Sequence, residues 1–315
     1  MLCINLTSTD PCFNLAIEEI LLKNSGEEYL ILYINSPSVI IGKHQVAHRE
    51  ADTEFVSKKN IPVIRRISGG GTVYHDPGNL NFTFIIQSAH GSQVDFRKYT
   101  LPVIGFLGSL GIGASFEGRN DLKVNGLKIS GNAEHVFHER VMHHGTLLFD
   151  SDLNMLKASL RKDTSHYATR AVGSNPSSVM NLKGILNDIS DTEEFRMRML
   201  EYFLTKPGNE IFELTDELKN EAGSLAGSKF RTWEWNYAYG PEYEFNNSFY
   251  IKQIGHSCRF IVKDGIIQEC EIEGSETMKI IAKNLIGCRH MIEDLAEILS
   301  KGNISAGLND ILRFF

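Results

Sequence analysis

Long apolar runs, paired cysteines and internal repeats are all missing from this chain of 315 residues. No stretch is apolar for long enough to span a bilayer, which argues against a membrane helix. The first twenty residues contain neither Arg nor Lys, so no secretory or mitochondrial leader is expected and a cytoplasmic location is. The five cysteines (Cys3, Cys12, Cys258, Cys270, Cys288) are odd in number, scattered, and form no CxxC pair; buried reduced thiols are expected rather than a disulfide framework or a zinc site. Positive charge is also in deficit. A net charge of -7 and a pI near 5.9 argue against a nucleic-acid coat and shift attention from total charge to local basic residues. The length leaves room for roughly two domains at the usual ~150 residues each.

What stands out is Arg65-Arg66-Ile67-Ser68-Gly69-Gly70-Gly71-Thr72-Val73-Tyr74-His75-Asp76, three glycines after an apolar segment and a pair of arginines. Glycine lets a ligand approach the backbone and permits positive φ, so successive N–H groups can converge on an oxyanion, while arginine supplies the charge. A tight glycine turn beside a solvated basic pair fits the same letters. A P-loop needs Gly-Lys-Ser/Thr opening a helix, and a dinucleotide fingerprint needs spaced glycines between strand and helix. Here Thr72-Val73-Tyr74 reads as a new strand, Asp76-Pro77-Gly78-Asn79 as a turn, and Leu80 to Ile86 as a further strand, so the glycines join strands.

Elsewhere, Asp10-Pro11 caps a helical run to Leu22, and Tyr29–Ile34 and Ser38–Gly42 are strand-like around Asn35-Ser36-Pro37. A second sheet region is expected from Ile61 to Ile64, and a helix from Asp95 to Leu110. Residues Gly118 to Gly131 read as a hairpin turning at Asn125-Gly126, which would bring Asp121 and Lys128 together. His143 to Phe149 is one more strand, on which neighbouring histidines face opposite ways. His135, His138, His143 and His144 lack the cysteine or fixed ligand pair that would complete a zinc site.

The stretch Arg161–Asn187, with Arg170, Ser174, Pro176 and Ser177, lacks periodicity and reads either as a mobile functional loop or as a plain connection. Helices are expected at Thr192–Leu204 and Thr215–Gly223, with Trp233 and Trp235 as packing anchors. A polar turn at Phe245-Asn246-Asn247-Ser248 suggests a boundary between a domain of residues 1–246 and one of residues 247–315. After it, Phe249–Lys252, Cys258–Val262 and Ile266–Ile272 form a small antiparallel sheet turning at Lys263-Asp264-Gly265, covered by helices near Thr277–Ile286 and Ile292–Lys301.

Together these residues resemble the lipoate-protein ligase family. The resemblance lies in Asn14-Leu15-Ala16 with Glu18-Glu19, in Asn35 to Gln45, in Arg65 to Asn79, in Arg119-Asn120-Asp121-Leu122, in Lys128-Ile129-Ser130-Gly131 and in His143 to Leu148. It implies an α+β fold shared with biotin ligases and class II aminoacyl-tRNA synthetases, with a mixed, largely antiparallel sheet and a small α+β C-terminal accessory domain. It also implies a reaction in which lipoate and ATP give lipoyl-AMP and pyrophosphate, and the acyl group then passes to one lysine of an apo lipoyl domain. That carrier would be a 2-oxoacid dehydrogenase E2 subunit or the glycine-cleavage H protein, with no nucleic acid and no membrane involved.

By the same resemblance, Lys128 would lie between the lipoate carboxyl and the α-phosphate, and would then hold the mixed anhydride; taken alone it is an ordinary hairpin lysine. ATP and adenylate would meet Arg66, Gly71, Thr72, Val73, Tyr74, Asn79, Asp121, Lys128 and Val179. Lipoate would meet Ser68, Gly69, Gly70, His75, Lys128, His144 and Gly145. Asp121 would support Mg²⁺, which wants oxygen ligands. The Arg161–Asn187 stretch resembles the family's adenylate-binding loop, which would close over the intermediate. Two other readings stay open: a lipoyl or octanoyl transferase of the same fold using preformed lipoyl-AMP or an acyl carrier, and a noncatalytic module that binds lipoate or a lipoyl domain. The transferase type uses a cysteine nucleophile in some cases, and none of the five cysteines falls in these motifs.

Overall fold

A computed structural model describes residues 1–88, 94–251, 253–302 and 307–315. The strands in chain order are β1 (Leu2–Asn5), β2 (Tyr29–Ile34), β3 (Ser38–Ile41), β4 (Val63–Arg65), β5 (Val73–His75), β6 (Asn79–Gln87), β7 (Ser115–Glu117), β8 (Asp121–Val124), β9 (Leu127–Phe137), β10 (Arg140–Leu148), β11 (Tyr167–Ala168), β12 (Glu210–Ile211), β13 (Tyr243–Ile251), β14 (Ile254–Lys263) and β15 (Ile266–Glu273). They fall into two compact units. One comprises residues 1–43, 64–157 and 174–231, and the other residues 44–63, 158–173 and 232–315.

The first unit is built on an eight-stranded sheet of order β12-β1-β2-β6-β10-β9-β8-β7. β1 runs parallel to β12 and β2, and every other pairing is antiparallel, so the sheet is mixed and largely antiparallel. Period-two alternation gives its two faces different chemistry. Leu30, Leu32, Phe82, Phe84 and Leu147 share an apolar core with Val103, Phe106, Phe195 and Met199 from the helices Phe96–Ser109 and Thr192–Leu204. The register puts Tyr33 opposite Asn81, and Thr83 opposite His144, so the other face is polar. Helix α1 (Pro11–Asn24) lies on that face. Its N-cap Asp10 accepts from the Cys12 N–H, Pro11 occupies the first turn, and nearly every residue from Pro11 to Leu22 is buried.

A three-stranded sheet of order β4-β3-β5 carries the glycines between β4 and β5. The Asp76–Asn79 turn closes with Asn79 N–H donating to Asp76 C=O at 3.0 Å, and the β8–β9 hairpin turns through Asn125 (φ 50°) and Gly126 (φ 77°). These elements follow the sequence reading.

In the second unit, β11-β13-β14-β15 form an antiparallel sheet that turns through Asp264 and Gly265 and packs against the helices Glu276–Leu285 and Ile292–Lys301. His290 accepts from Tyr243 Oη at 2.7 Å and donates to the Phe314 carbonyl at 2.6 Å, which fastens the last residues to this core. One correction arises here. Phe245–Ser248 is not a turn: it is the middle of β13, extended and paired with β14, because the polar residues occupy its more exposed positions while Phe245 and Phe249 point inward. The second unit also takes two earlier stretches of chain, so contiguous domains of residues 1–246 and 247–315 do not coincide with the compact units. Lys252, placed in a strand from the sequence, lies outside the described residues.

All five cysteines are free; Cys3, Cys12 and Cys258 are buried, while Cys270 and Cys288 are half-buried. Among the described residues no helix is long and apolar enough to cross a membrane.

Candidate active site

Arg66 builds the glycine loop. Its guanidinium is buried and donates through Nε to Ser68 Oγ (2.9 Å), through Nη1 to the Ile40 carbonyl (3.1 Å), and through Nη2 to the carbonyls of Gly69 (2.6 Å) and Gly71 (2.7 Å). The fork folds the three glycines into an arch whose first and last carbonyls, of Gly69 and Gly71, point back at Arg66. Gly70 takes φ 88°, and a Cβ there would come within 3.0 Å of Arg66 Nη2 and 3.6 Å of Ala133 Cβ on β9. Glycine is required at that point for both conformation and space. Burial lowers the Arg66 pKa to about 10, with Glu18 and Tyr33 opposing, so it stays cationic at neutral pH. Arg65, also buried, donates to the Gly42 and Lys43 carbonyls.

From Ser68 a buried chain of hydrogen bonds continues across the sheet. Ser68 Oγ lies 2.6 Å from His144 Nε2, and His144 Nδ1 lies 3.1 Å from Glu18 Oε2 on α1. Glu18 is fully buried, accepts also from Tyr33 (2.8 Å) and Thr83, and its pKa is lowered; burial alone would raise it, and His144, Thr83 and Tyr33 outweigh that. A second chain fixes His75. Asn14 Nδ2 donates to Asn35 Oδ1 (2.8 Å), which turns Asn35 Nδ2 towards His75 Nδ1 (2.9 Å). His75 is pushed down to about 3 by burial, then by Arg66 and His144, so it is neutral and carries its proton on Nε2. That N–H is buried without a partner among the described residues.

Lys128 sits in different surroundings. Its Nζ is 2.8 Å from Asp121 Oδ1, with both side chains about one-fifth exposed. A bulge between Leu122 and Lys123 sets the register that lets them meet. The ammonium folds back over Gly131, where a Cβ would be 3.2 Å from it, so the absence of a side chain there leaves its place. Gly131 is two residues from Ala133, against which Gly70 packs, and two residues along a strand span about 7 Å. The lysine head and the glycine arch are therefore neighbours along β9.

The segment from Ser174 to Met180 ties them together. Ser174 Oγ accepts from the Thr72 N–H (2.8 Å) and abuts Gly71; further on, the Lys128 N–H donates to the Ser178 carbonyl (2.9 Å) and the Met180 N–H to the Lys128 carbonyl (3.0 Å), which sets Val179 beside Lys128 as a parallel bridge. The aperiodic stretch thus has a defined course at its C-terminal part, while residues 161–173 belong to the other compact unit.

Of the expected site residues, Arg66, Ser68, Gly70, Gly71, Thr72, His75 and His144 gather on the arch side, and Lys128, Asp121 and Val179 on the hairpin side. Val73 and Tyr74 continue from the arch into β5, where Tyr74 is buried and its pKa is raised to about 12, mainly by burial. Gly69 has no atom within 4 Å of where a Cβ would lie. At Gly145 a Cβ would strike Asn132 Oδ1 and Phe82, so this glycine makes room for packing around the core-side Phe82. Asn79 is fully buried; its Nδ2 donates to Asn81, and its Oδ1 has no partner among the described residues. Sequence reasoning attached no role to Glu18, Asn14 or Asn35, although all three lie in the resembling motifs; their buried polarity was the available signal. Among the described residues, no group of three or more His, Cys, Asp or Glu side chains is placed to hold a metal ion.

Comparison with known proteins bears on this arrangement. The family described as Lipoyl protein ligase A/B catalytic domain matches residues 10–204. The chain is 38% identical over 315 residues to Lipoate–protein ligase 1 of Staphylococcus aureus, covering 98% of this chain and 96% of that protein. Among solved structures, a lipoate-protein ligase A bound with ATP is similar at a TM-score of 0.63 and 27% identity, over 75% of this chain and 97% of that one. A Thermoplasma acidophilum protein with bound lipoic acid is similar at a TM-score of 0.63 and 26% identity, over 75% of this chain and 97% of that one.

Proposed function

The chain belongs to the lipoate-protein ligase family, and on that premise we propose that it activates lipoate with ATP and passes the lipoyl group to a lysine of an apo lipoyl domain. The observation that carries the reading is the place of Lys128: a restrained, partly exposed ammonium beside an arch of glycines.

In the first half-reaction a lipoate carboxylate oxygen bonds to the α-phosphorus of ATP, and the bond to pyrophosphate breaks. Two anions approach each other, so the step needs fixed positive charge. Lys128 supplies it at the reacting oxygens and then holds the mixed anhydride. Arg66 adds a fixed charge behind the arch, where Gly71-Thr72-Val73-Tyr74 passes along the adenylate with Asn79 and Val179. Lipoate lies along Ser68, Gly69, Gly70, His75, His144 and Gly145, and the unpartnered His75 Nε2–H is a donor for it. In the second half-reaction the carrier lysine's amine attacks the acyl carbonyl, loses its proton, and AMP leaves.

Mg²⁺ enters as the companion of the ATP phosphates, because Asp121 is already paired to Lys128 and offers at most one oxygen. The Ser174–Met180 segment closes over the anhydride and keeps water from it. The carriers are E2 lipoyl domains, the glycine-cleavage H protein, or both. A cysteine-dependent transferase is disfavoured, since burial raises the Cys12 thiol to about 11 and its Sγ is directed at the Phe230 carbonyl.

Incubation of the purified protein with lipoate, Mg-ATP and an apo lipoyl domain should release pyrophosphate and raise the carrier mass by one lipoyl group. Transfer from synthetic lipoyl-AMP without pyrophosphate release would make it a transferase, and failure of both would sink the reading.

A further inference from the structure

The Asn14-Leu15-Ala16 and Glu18-Glu19 stretch on α1 is far in sequence from the glycine arch, yet Glu18 terminates the chain of hydrogen bonds that begins at Arg66. Ser, His and Glu stand here in the order of a hydrolytic triad, but Ser68 is completely buried and its oxygen already accepts from Arg66 Nε. A hydroxyl so placed has no open side for a substrate carbonyl, so the arrangement is not a nucleophile.

Its internal logic is one of direction. Arg66 Nε donates to Ser68 Oγ, so the Ser68 hydroxyl proton is available to His144. Glu18 accepts from Tyr33, from Thr83 and from the Nδ1 side of His144. With Nδ1 alone protonated, Nε2 accepts a hydrogen bond from the Ser68 hydroxyl. Every link therefore runs from a buried cation to a buried anion, through a serine and a histidine whose orientation the ends determine. Neither end has bulk water to compensate it, and an unpaired buried charge is far more costly than a paired one.

We propose that Glu18 is a positioning residue for acyl activation, holding the Arg66 fork and hence the glycine arch through the relay His144–Ser68. The proposal rests on the ligase reading above. Glu18 touches neither ATP nor the reacting oxygens; it acts by fixing which nitrogen of His144 carries the proton and by balancing the Arg66 charge.

The test uses the full chain and the Glu18→Gln, Glu18→Asp and Ser68→Ala variants. It follows lipoate- and Mg-ATP-dependent pyrophosphate release, together with the imidazole nitrogen chemical shifts of His144. Glu18→Gln should lower pyrophosphate release by about a hundredfold, the scale of losing one preorganised electrostatic contact. The His144 signals should depart from the Nδ1–H tautomer in that variant and keep it in Glu18→Asp, which retains the charge. Because the relay runs through Ser68, the Glu18→Gln/Ser68→Ala double variant should be no slower than about threefold below the worse single variant. An unchanged tautomer in Glu18→Gln, or losses that multiply in the double variant, would overturn the relay. If Glu18→Gln does not fold, the tautomer in Ser68→Ala and the partial activity of Glu18→Asp, expected within about tenfold of wild type, decide the matter. A wild-type protein that releases no pyrophosphate would refute the ligase reading instead, and the tautomer measurement would still judge the relay.

Discussion

Arg66 and Lys128 carry the same charge in the same compact unit and do opposite things. Arg66 is buried, with its N–H groups directed at Ser68 and at the carbonyls of Ile40, Gly69 and Gly71. Lys128 is partly exposed, paired with Asp121, and lies where Gly131 leaves space for it. The guanidinium's planar set of five donors suits it to fixing several backbone carbonyls at once. An ammonium on a flexible stem suits the role proposed for Lys128, which is to leave Asp121 for a phosphate and return. Burial, more than charge, separates the cation that shapes the arch from the cation proposed to work in the reaction.

Four changes would break or sharpen this contrast. Lys128→Ala should cut pyrophosphate release by about a thousandfold, yet leave the unfolding midpoint nearly unmoved, because a partly exposed ion pair contributes about 1 kcal/mol or less. Arg66→Met should do the reverse in kind: urea unfolding should show a loss of about 3 kcal/mol, since three carbonyls lose their donor and Glu18 is left as a buried charge without a counter-charge.

The third concerns acid. His75 has a folded pKa of about 3 against an ordinary 6.5, so between those values the unfolded chain binds the extra proton and stability falls as pH falls. At pH 5 this site alone should cost about 2 kcal/mol relative to pH 7, and His75→Gln should flatten the stability–pH curve over that window. A curve unchanged by His75→Gln would show that the arch side is not where acid acts. Smallest of all, Asp121→Asn should lower kcat/KM for lipoate by about tenfold or less, because it loosens Lys128 without removing it. A loss as large as that of Lys128→Ala would mean that Asp121 has chemistry of its own.

Much of this was legible from the letters. Strands on both sides of the glycines, the Asn125-Gly126 hairpin and the capped first helix are local matters, governed by turn chemistry and periodicity within a few residues. Asp121 and Lys128 meet because a short hairpin brings them together, and a hairpin can be read. Less legible was Arg66, expected to face phosphate and found facing carbonyls of its own chain, since the partners of a buried donor depend on distant backbone such as Ile40. The turn expected at Phe245–Ser248 failed for a related reason: polar letters in a row look like a turn, but a strand with one exposed face accepts them. Glu18 was legible as a residue and not as a role, because nothing in α1 announces His144.

The sequence by itself determined the family, the order of elements, and which hairpin would hold a lysine near an aspartate. Those features rest on short-range chemistry and on motif order along the chain. Only the tertiary structure decided that Arg66 braces the arch, that Ser174–Met180 spans it to Lys128, and that the relay ends on Glu18. The last two join residues dozens of positions apart and the first leans on distant Ile40, and each follows from the need of buried polar groups to find partners, which packing alone can assign.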